Sequence, residues 1–388
     1  MVIVDECHHV SAVSFEAVLR EVTAKSVYGL TATPKRSDGH QPIIFMQCGD
    51  IRYTAKASDY AKKHGFLHIL VPRFTKYRST SENMTITEHY KTLAESEYRN
   101  DLIVRDVINV IESGRNPIII SERMSHLQIL YDMPKDSADH VIILSGKGTA
   151  KSKRELLDKV RSIPSDQSMI LLATGKYVGE GFDEPRLDTL FLALPISWSG
   201  TLSQYAGRLH CEYHNKSSVM IYDYVDIHVP MIENMYKRRL RGYANLGYTL
   251  QTNDNSDDYK TIYNDNFEKD LIRDISSASN SVFISASYIT SAKLNIILKL
   301  ASEAKLRNIQ FKLILKKSKS DYMTKIINLL DSYNVEYSLK NKLSSSSVII
   351  DEKVIWYSSG EPFYHADEEC VLRIHDEVFA WELLDRLK

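Results

Sequence analysis

The chain has 388 residues, 43 % of them hydrophobic and 26 % charged, which excludes a disordered or fibrous protein and fits roughly two or three globular domains. Lys+Arg number 49 against 50 Asp+Glu, so there is no global basic field and any nucleic-acid contact must be local. Cys7, Cys48, Cys211 and Cys370 form no Cys-x-x-Cys pair and no apolar run is long enough to span a bilayer, so the expectation is a reduced, cytoplasmic protein with no zinc site, disulfide framework or membrane contact.

In chain order, Met1-Val-Ile-Val4 is an apolar run that delivers Asp5-Glu6-Cys7-His8 at its end. A buried strand with two acids at its carboxyl end is the arrangement of a Walker B motif. One acid holds magnesium and the next polarises the attacking water. The competing reading is a strand-to-loop junction with solvated acids. A helix over Ser14 to Thr23 precedes the strand Val27-Tyr-Gly-Leu30, which runs into Thr31-Ala-Thr33-Pro34. Residues 49–100 read as a connection. A helix over Tyr98 to Ser113 leads to the strand Asn116 to Ile120, then Ser121-Glu122-Arg123 and a helix carrying His126. Val141 to Leu144 is the next strand.

The most informative stretch is Met169 to Cys211. The apolar run Met169-Ile-Leu-Leu-Ala173 opens into Thr174-Gly175-Lys-Tyr-Val-Gly-Glu-Gly181-Phe-Asp183. A second run, Thr189 to Leu194, leads to Gln204-Tyr-Ala-Gly-Arg208. Short apolar runs bounded by Gly and Pro read as strands of a parallel sheet, buried on both faces. Ligands bind at the carboxyl ends of such strands. Gln204 and Arg208, spaced by four, would share one helix face.

Taken in order, these segments resemble motifs II to VI of superfamily-two DEAD/DEAH-box helicases, in the branch related to restriction-enzyme R subunits. Asp5-Glu6-Cys7-His8 is similar to motif II, Thr31-Ala-Thr33 to motif III and Ser121-Glu122-Arg123 to motif IV. Gly181 with Asp183 resembles motif V, and Gln204 with Gly207-Arg208 resembles motif VI. The resemblance implies an α/β fold with a partial RecA-like lobe at 1–75, a connection at 76–97 and a complete RecA-like lobe at 98–250. It implies ATP and magnesium as cofactors and DNA, with RNA as the alternative, as partner. Asp5 would hold the metal and Glu6 would activate water. His8, Gly181 and Asp183 would contact the nucleotide, while Gln204 and Arg208 would face its γ-phosphate. Thr31, Thr33, Arg123 and Thr174 would touch nucleic acid.

Two departures from the family pattern stand out. No Gly-x-x-x-x-Gly-Lys-Ser/Thr occurs in the 388 residues, so the phosphate-cradling loop is missing. The expectation is the carboxy-terminal portion of a longer helicase, completed by an N-terminal P-loop segment or a separate subunit. The position of the family's arginine finger, a residue worth roughly a thousandfold or more in turnover, is Cys211. The chain alone is therefore expected to be inactive as an ATPase, and a non-enzymatic nucleic-acid-binding remnant is the rival reading.

Lys237-Arg238-Arg239-Leu240-Arg241 lies in a helical segment over Met231 to Ala244 and reads as a solvated face or a phosphate-contacting patch. Residues 251–262 read as a linker. Over 263–388 strands and helices alternate again, ending in a hairpin around Asp351 and a terminal helix. This domain resembles the phospholipase D fold. The family's catalytic His and Lys positions hold Ser344 and Ser346, with Asp351 retained. A serine lacks the basicity and charge those roles need, so the domain is expected to be catalytically dead. A nuclease is the weakest reading. No basic stripe is visible in its sequence.

Overall fold

Apolar runs flanked by amphipathic helices fold into layered α/β units, and three such units follow one another along the chain. The computed structural model describes residues 1–7, 13–31, 41–54, 66–79, 81, 83–144, 150–179, 182–197, 199–214, 216–250, 262–263, 266–343, 346–360 and 370–387.

The first unit holds β1 (Val2–Val4), α1 (Val13–Arg20), β2 (Val27–Gly29) and α2 (Gln41–Cys48). β1 and β2 run parallel, with Ile3 opposite Tyr28. Cys7, Ile44, Val4, Leu19 and Cys48 pack together. A Cβ at Gly29 would stand 2.8 Å from the Cys7 sulfur and 3.0 Å from Cys48, so only glycine fits that approach. The expectation of a buried strand delivering the two acids needs correcting. Ile3 is 57 % and Tyr28 54 % exposed, because the strand pair carries its packing on the opposite face.

The second unit contains β3 (Leu67–Phe74), α3 (Ile86–Glu95), α4 (Glu97–Glu112), β4 (Pro117–Ile120), α5 (Met124–Asp132), β5 (His140–Leu144) and α6 (Ala150–Arg161). It continues with β6 (Met169–Ala173), α7 (Gly175–Gly179), β7 (Thr189–Leu192), α8 (Ser199–Gly207), β8 (Ser218–Val225), α9 (Pro230–Asn245) and β9 (Thr249–Leu250). The seven strands run in the order β5-β6-β4-β7-β8-β3-β9, and every pairing is parallel. Side-chain alternation along the central strands feeds two cores. Ile118, Ile120, Leu171 and Leu190 face α8 and α9 through Leu202, Tyr236 and Leu240. Ile119, Ile170, Leu172 and Phe191 face α4 and α5 through Ile103, Val107 and Leu127. Each such aliphatic side chain taken fully out of water contributes about 1.5–3 kcal/mol. The α/β class and the parallel, doubly wound sheet expected of a RecA-like lobe are therefore present.

One boundary moves. The strand β3 falls inside the segment assigned to the first lobe, yet it lies between β8 and β9 in the second sheet, paired from Leu67 with Ser218 to Phe74 with Val225. The helix α3, expected to be connection, starts with a capping box. Thr85 accepts from the Glu88 amide at 3.3 Å, and the Glu88 carboxylate accepts from the Thr85 amide at 2.7 Å.

The third unit comprises β10 (Ile262–Tyr263), α10 (Glu268–Ser277), β11 (Ser281–Ala286), α11 (Ser291–Leu306), β12 (Gln310–Lys316), α12 (Asp321–Ser332) and β13 (Glu336–Lys340). It ends with β14 (Ser347–Ile350), β15 (Val354–Ser358), β16 (Val371–His375) and α13 (Glu377–Leu387). Its seven-stranded sheet has the order β10-β16-β15-β14-β11-β12-β13 and is mixed, parallel from β11 to β13 and antiparallel elsewhere. One face packs on α10, α11 and α12. Side chains of the other face, with α13, join the core of the second unit. Among the described residues no helix is long and apolar enough to cross a membrane.

Candidate nucleotide and nucleic-acid site

In the first unit the β1–β2 ladder runs past the strand ends. The Leu30 amide donates to the Val4 carbonyl at 2.9 Å, and the Cys7 amide donates to the Leu30 carbonyl at 2.9 Å. This sets Asp5-Glu6 beside Thr31. Both acids are exposed. The Glu6 amide donates to Asp5 Oδ1 at 2.9 Å, and Glu6 has φ +47°, a left-handed backbone that non-glycine residues other than Asn, Asp and His seldom adopt. Burial, then the neighbouring Cys48, pushes the Cys7 thiol up to about 11, so it stays protonated. His8 and Thr33 lie outside the described residues. Among the described residues no group of three or more His, Cys, Asp and Glu side chains could hold a metal. Magnesium needs no such cage, because one or two carboxylates and several waters suffice. The exposed pair at the end of β1 fits that demand.

In the second unit the carboxyl ends of β4 and β6 are tied together. The Ser121 amide donates to the Ala173 carbonyl at 3.2 Å. Immediately beyond, the Tyr205 hydroxyl donates to Glu122 Oε1 at 3.0 Å. A Cβ on Gly175 would stand 1.8 Å from the Tyr205 oxygen and 2.1 Å from Glu122 Oε1. Glycine after β6 is thus what lets α8 close on the strand ends. The Thr174 carbonyl accepts from the amides of Tyr177 and Val178 at 3.0 and 3.3 Å and starts α7.

Arg208 does not lie on α8 with Gln204, because the helix ends at Gly207. It occupies the closing turn, its amide donating to the Tyr205 carbonyl at 3.2 Å. Its Nε donates to the Val178 carbonyl at 3.0 Å, joining the end of α8 to α7. The Cys211 thiol donates to Asp183 Oδ1 at 3.3 Å. Burial first, and Asp183 next, raise that thiol, so the position carries no charge at neutral pH. Lys216 clamps the same turn through the carbonyls of Leu187, Leu209 and Cys211 at 2.9, 3.0 and 2.7 Å. Gly181 lies outside the described residues.

Arg123 precedes α5 and reaches the Thr87 carbonyl with Nη2 at 3.5 Å. Its amide donates to Ser121 Oγ at 3.2 Å. That hydroxyl then donates to His126 Nδ1 at 3.0 Å, and His126 Nε2 donates to Asn100 Oδ1 at 2.9 Å. The structure thus brings Thr174, Asp183, Arg208 and Arg123 onto the loops and Gln204 onto a helix around one sheet, and Asp5, Glu6 and Thr31 onto the strand ends of another. In the sequence Glu122 and His126 stand only as part of the motif IV segment, without a role, and Gly175, Tyr205 and Lys216 are given none. Among the last three, Gly175, a glycine just after a buried strand, carries a visible cue.

Two other expectations change. The run Lys237 to Arg241 is neither a uniform solvated face nor a patch of free cations. Arg239 is buried and forked onto Asp223 at 2.8 and 2.9 Å, while Lys237 approaches Glu233 at 3.8 Å. In the terminal domain Ser344 lies outside the described residues. Ser346 is 2 % exposed. Asp351 sits in the hairpin turn at the opposite end of β14, roughly 15 Å of strand away. Its carboxylate accepts from the amides of Ser279, Asn280 and Ser281 at 2.8, 2.6 and 2.9 Å. Asp351 and Ser346 therefore do not share a site.

The sequence and the fold have likenesses among known proteins. A family model described as "Type III restriction enzyme, res subunit" matches residues 1–36. The chain is 26 % identical over 222 residues to "Transcript termination protein A18" of Fowlpox virus (strain NVSL), covering 54 % of this chain and 45 % of that protein. It is 25 % identical over 291 residues to "Putative ATP-dependent RNA helicase L396" of Acanthamoeba polyphaga mimivirus, covering 71 % of this chain and 52 % of that protein. T4 UvsW superposes with a TM-score of 0.40 at 19 % identity, over 65 % of this chain and 53 % of that one. The chain is similar to helicase-like proteins. It spans about half the length of the curated relatives it matches.

Proposed function

We propose that this chain is part of an ATP-dependent motor acting on nucleic acid, of the superfamily-two helicase type related to restriction R subunits and working in the cytoplasm. Asp5 would hold magnesium, and Glu6 would orient and deprotonate water. Asp183, Gln204 and Arg208 would approach the nucleotide from the second lobe, with His8 and Gly181 as further nucleotide contacts. Thr31, Thr33, Arg123 and Thr174 would touch the nucleic-acid backbone. Bound magnesium ATP supplies the scissile phosphoanhydride and a cation that neutralises charge developing on it. The observation that carries the reading is the tying of the two nucleotide-side segments to one another, Arg208 to Val178 and Cys211 to Asp183, with Tyr205 of the second bonded to Glu122 beside Arg123.

A phosphate-cradling loop from outside these 388 residues, on a preceding segment or a separate subunit, would complete the site. Cys211 lends weight to a second reading, a nucleic-acid-binding remnant without turnover, because a neutral thiol cannot replace a guanidinium fork. DNA is the substrate proposed first, and the naming of one relative as an RNA helicase makes RNA the direct competitor. The test is the affinity for labelled single-stranded DNA and RNA, with and without millimolar magnesium and a non-hydrolysable ATP analogue. The motor reading expects the analogue to shift affinity several-fold, and Glu6→Gln or Arg208→Ala to remove the shift. Affinity indifferent to nucleotide favours the remnant. Steady-state phosphate release by the chain alone is expected to stay at background, and Glu6-dependent turnover would overturn that expectation.

A further inference from the structure

Three parallel strands of the terminal sheet end side by side. Ala286 of β11 lies opposite Leu315 of β12, and Lys316 of β12 lies opposite Lys340 of β13. The ladder extends one step further, with the Lys317 amide donating to the Lys340 carbonyl at 2.8 Å. The chain leaves β12 as Lys316-Lys317-Ser318-Lys319-Ser320 and leaves β13 as Lys340-Asn341-Lys342. Pairing therefore gathers lysines from two separate segments onto strand ends about 4.8 Å apart. Lys316, Lys317, Lys319 and Lys342 are exposed and Lys340 is half-buried. Neither segment contains an acid; Asp321 follows the first directly, at the first position of α12.

Two further features share that edge. α11 and α12 start there, capped by Thr290 and Ser320, whose side chains accept from the amides of Lys293 and Met323. Their amino ends add positive potential. Tyr288 follows β11, is 47 % exposed, and stacks on Tyr322 with ring centroids 5.7 Å apart. Tyr322 is itself fixed by donating to the Ile289 carbonyl at 2.7 Å.

We propose that this edge binds the phosphate backbone of single-stranded nucleic acid, with the ring of Tyr288 as a platform for one base. The proposal rests on the reading that the chain works on nucleic acid. Clustered cations supply a sequence-blind, salt-dependent attraction, and a supported ring offers stacking to any base. The segments are lysine, serine and asparagine without large apolar residues, which disfavours a membrane surface. The terminal domain is thereby a second contact for the strand handled by the lobes.

The test uses the full chain and fluorescence anisotropy with labelled dT20 and rU20 over a range of salt. The variants are Lys316→Glu/Lys317→Glu/Lys319→Glu, the milder Lys316→Gln/Lys317→Gln/Lys319→Gln, Tyr288→Ala and, in the lobe, Arg123→Ala. Melting temperature is followed in each. The triple glutamate variant is expected to lose at least tenfold in affinity at unchanged melting temperature. The slope of log affinity against log salt should fall by about 2 for either triple variant, at about 0.7 per neutralised phosphate. Tyr288→Ala should lose several-fold with the slope unchanged. Wild-type binding that neither triple variant alters, while Arg123→Ala weakens it, would overturn the proposal and leave the lobe reading intact. No binding of either oligonucleotide by the wild-type chain would overturn both. Lysine-dependent binding of anionic vesicles or polyglutamate tighter than of the oligonucleotides would overturn this proposal alone.

Discussion

His126 shows how a single buried side chain sets the loop that carries Arg123. Its ring is fully enclosed, donating to Asn100 and accepting from Ser121, whose hydroxyl also receives the Arg123 amide. Desolvation, with a smaller push from Arg99, lowers its pKa to about 3. The unfolded chain binds that proton near the ordinary value of about 6.5. Between those two values the unfolded state takes up a proton that the folded state refuses. The stabilisation is therefore complete above pH 6.5 and is lost as the pH falls towards 3, by at most about 1.4 kcal/mol per pH unit. His228, also lowered chiefly by desolvation, adds to the same trend. Urea unfolding should show stability falling from pH 7 to pH 5, and His126→Gln should flatten the fall. An equally steep decline in His126→Gln would assign the titration elsewhere.

At the scale of elements, the β14–β15 hairpin is fixed by one carboxylate. Burial would raise Asp351, but bonds from the amides of Ser281, Ser279 and Asn280 more than offset it and the net shift is downward. Its φ of +52° is tolerated by Asp and Asn better than by other side chains. Asp351→Ala should cost about 1–2 kcal/mol at pH 7, less than a fully buried charged hydrogen bond because water reaches the turn. Asp351→Asn should cost less than Asp351→Ala, and the wild-type advantage should vanish as the pH falls through the depressed carboxyl value. Urea midpoints for the three proteins check this. Equal stability at pH 7 would show that water replaces the carboxylate. The same contrast explains which elements could be read from the sequence. β4, β6 and β7 are continuous apolar runs, β11 to β13 alternate with helices, and β14 and β15 form a hairpin, so each announces itself locally. β8 does not, because Asp223 interrupts it and its partner Arg239 hides within a run of cations. β3 is recognisable only through pairing with β8, far downstream. The motif segments could be read because each is short and contiguous. The contacts between them could not; of the lysine edge, Lys316-Lys317-Ser318-Lys319 stands in the sequence, contrary to the expectation of no basic stripe, and only its placement beside Lys340 and Lys342 depends on which strands lie side by side.

For the whole molecule, the decisive contact joins the second and third units. Phe74 and Phe379 stack with centroids 3.4 Å apart and planes 7° from parallel. Around them Glu233, fully buried, receives the Tyr357 hydroxyl at 2.7 Å and Arg386 at 2.7 Å. His228 meets Glu382 at 2.9 Å; desolvation keeps that ring neutral, so the contact is a hydrogen bond more than an ion pair. A single apolar cluster contains Ile221 and Tyr236 from one unit and Ile355 and Leu383 from the other. Interfaces between independent domains are more polar than this and permit relative motion. A shared core instead makes the terminal domain a rigid extension of the second lobe, so that any movement of that lobe carries the lysine edge with it. Calorimetry of the full chain should show these two units melting in one transition. Phe379→Ala should remove about 3–5 kcal/mol, the cost of a large side chain in a core, and shift that transition down by on the order of 10 °C. Tyr357→Phe, which strips one hydrogen bond from buried Glu233, should shift the same transition by less, for a loss of about 1–3 kcal/mol. Two separate transitions, only one of which moves in either variant, would show that the units fold independently and that the lobe can turn without the domain.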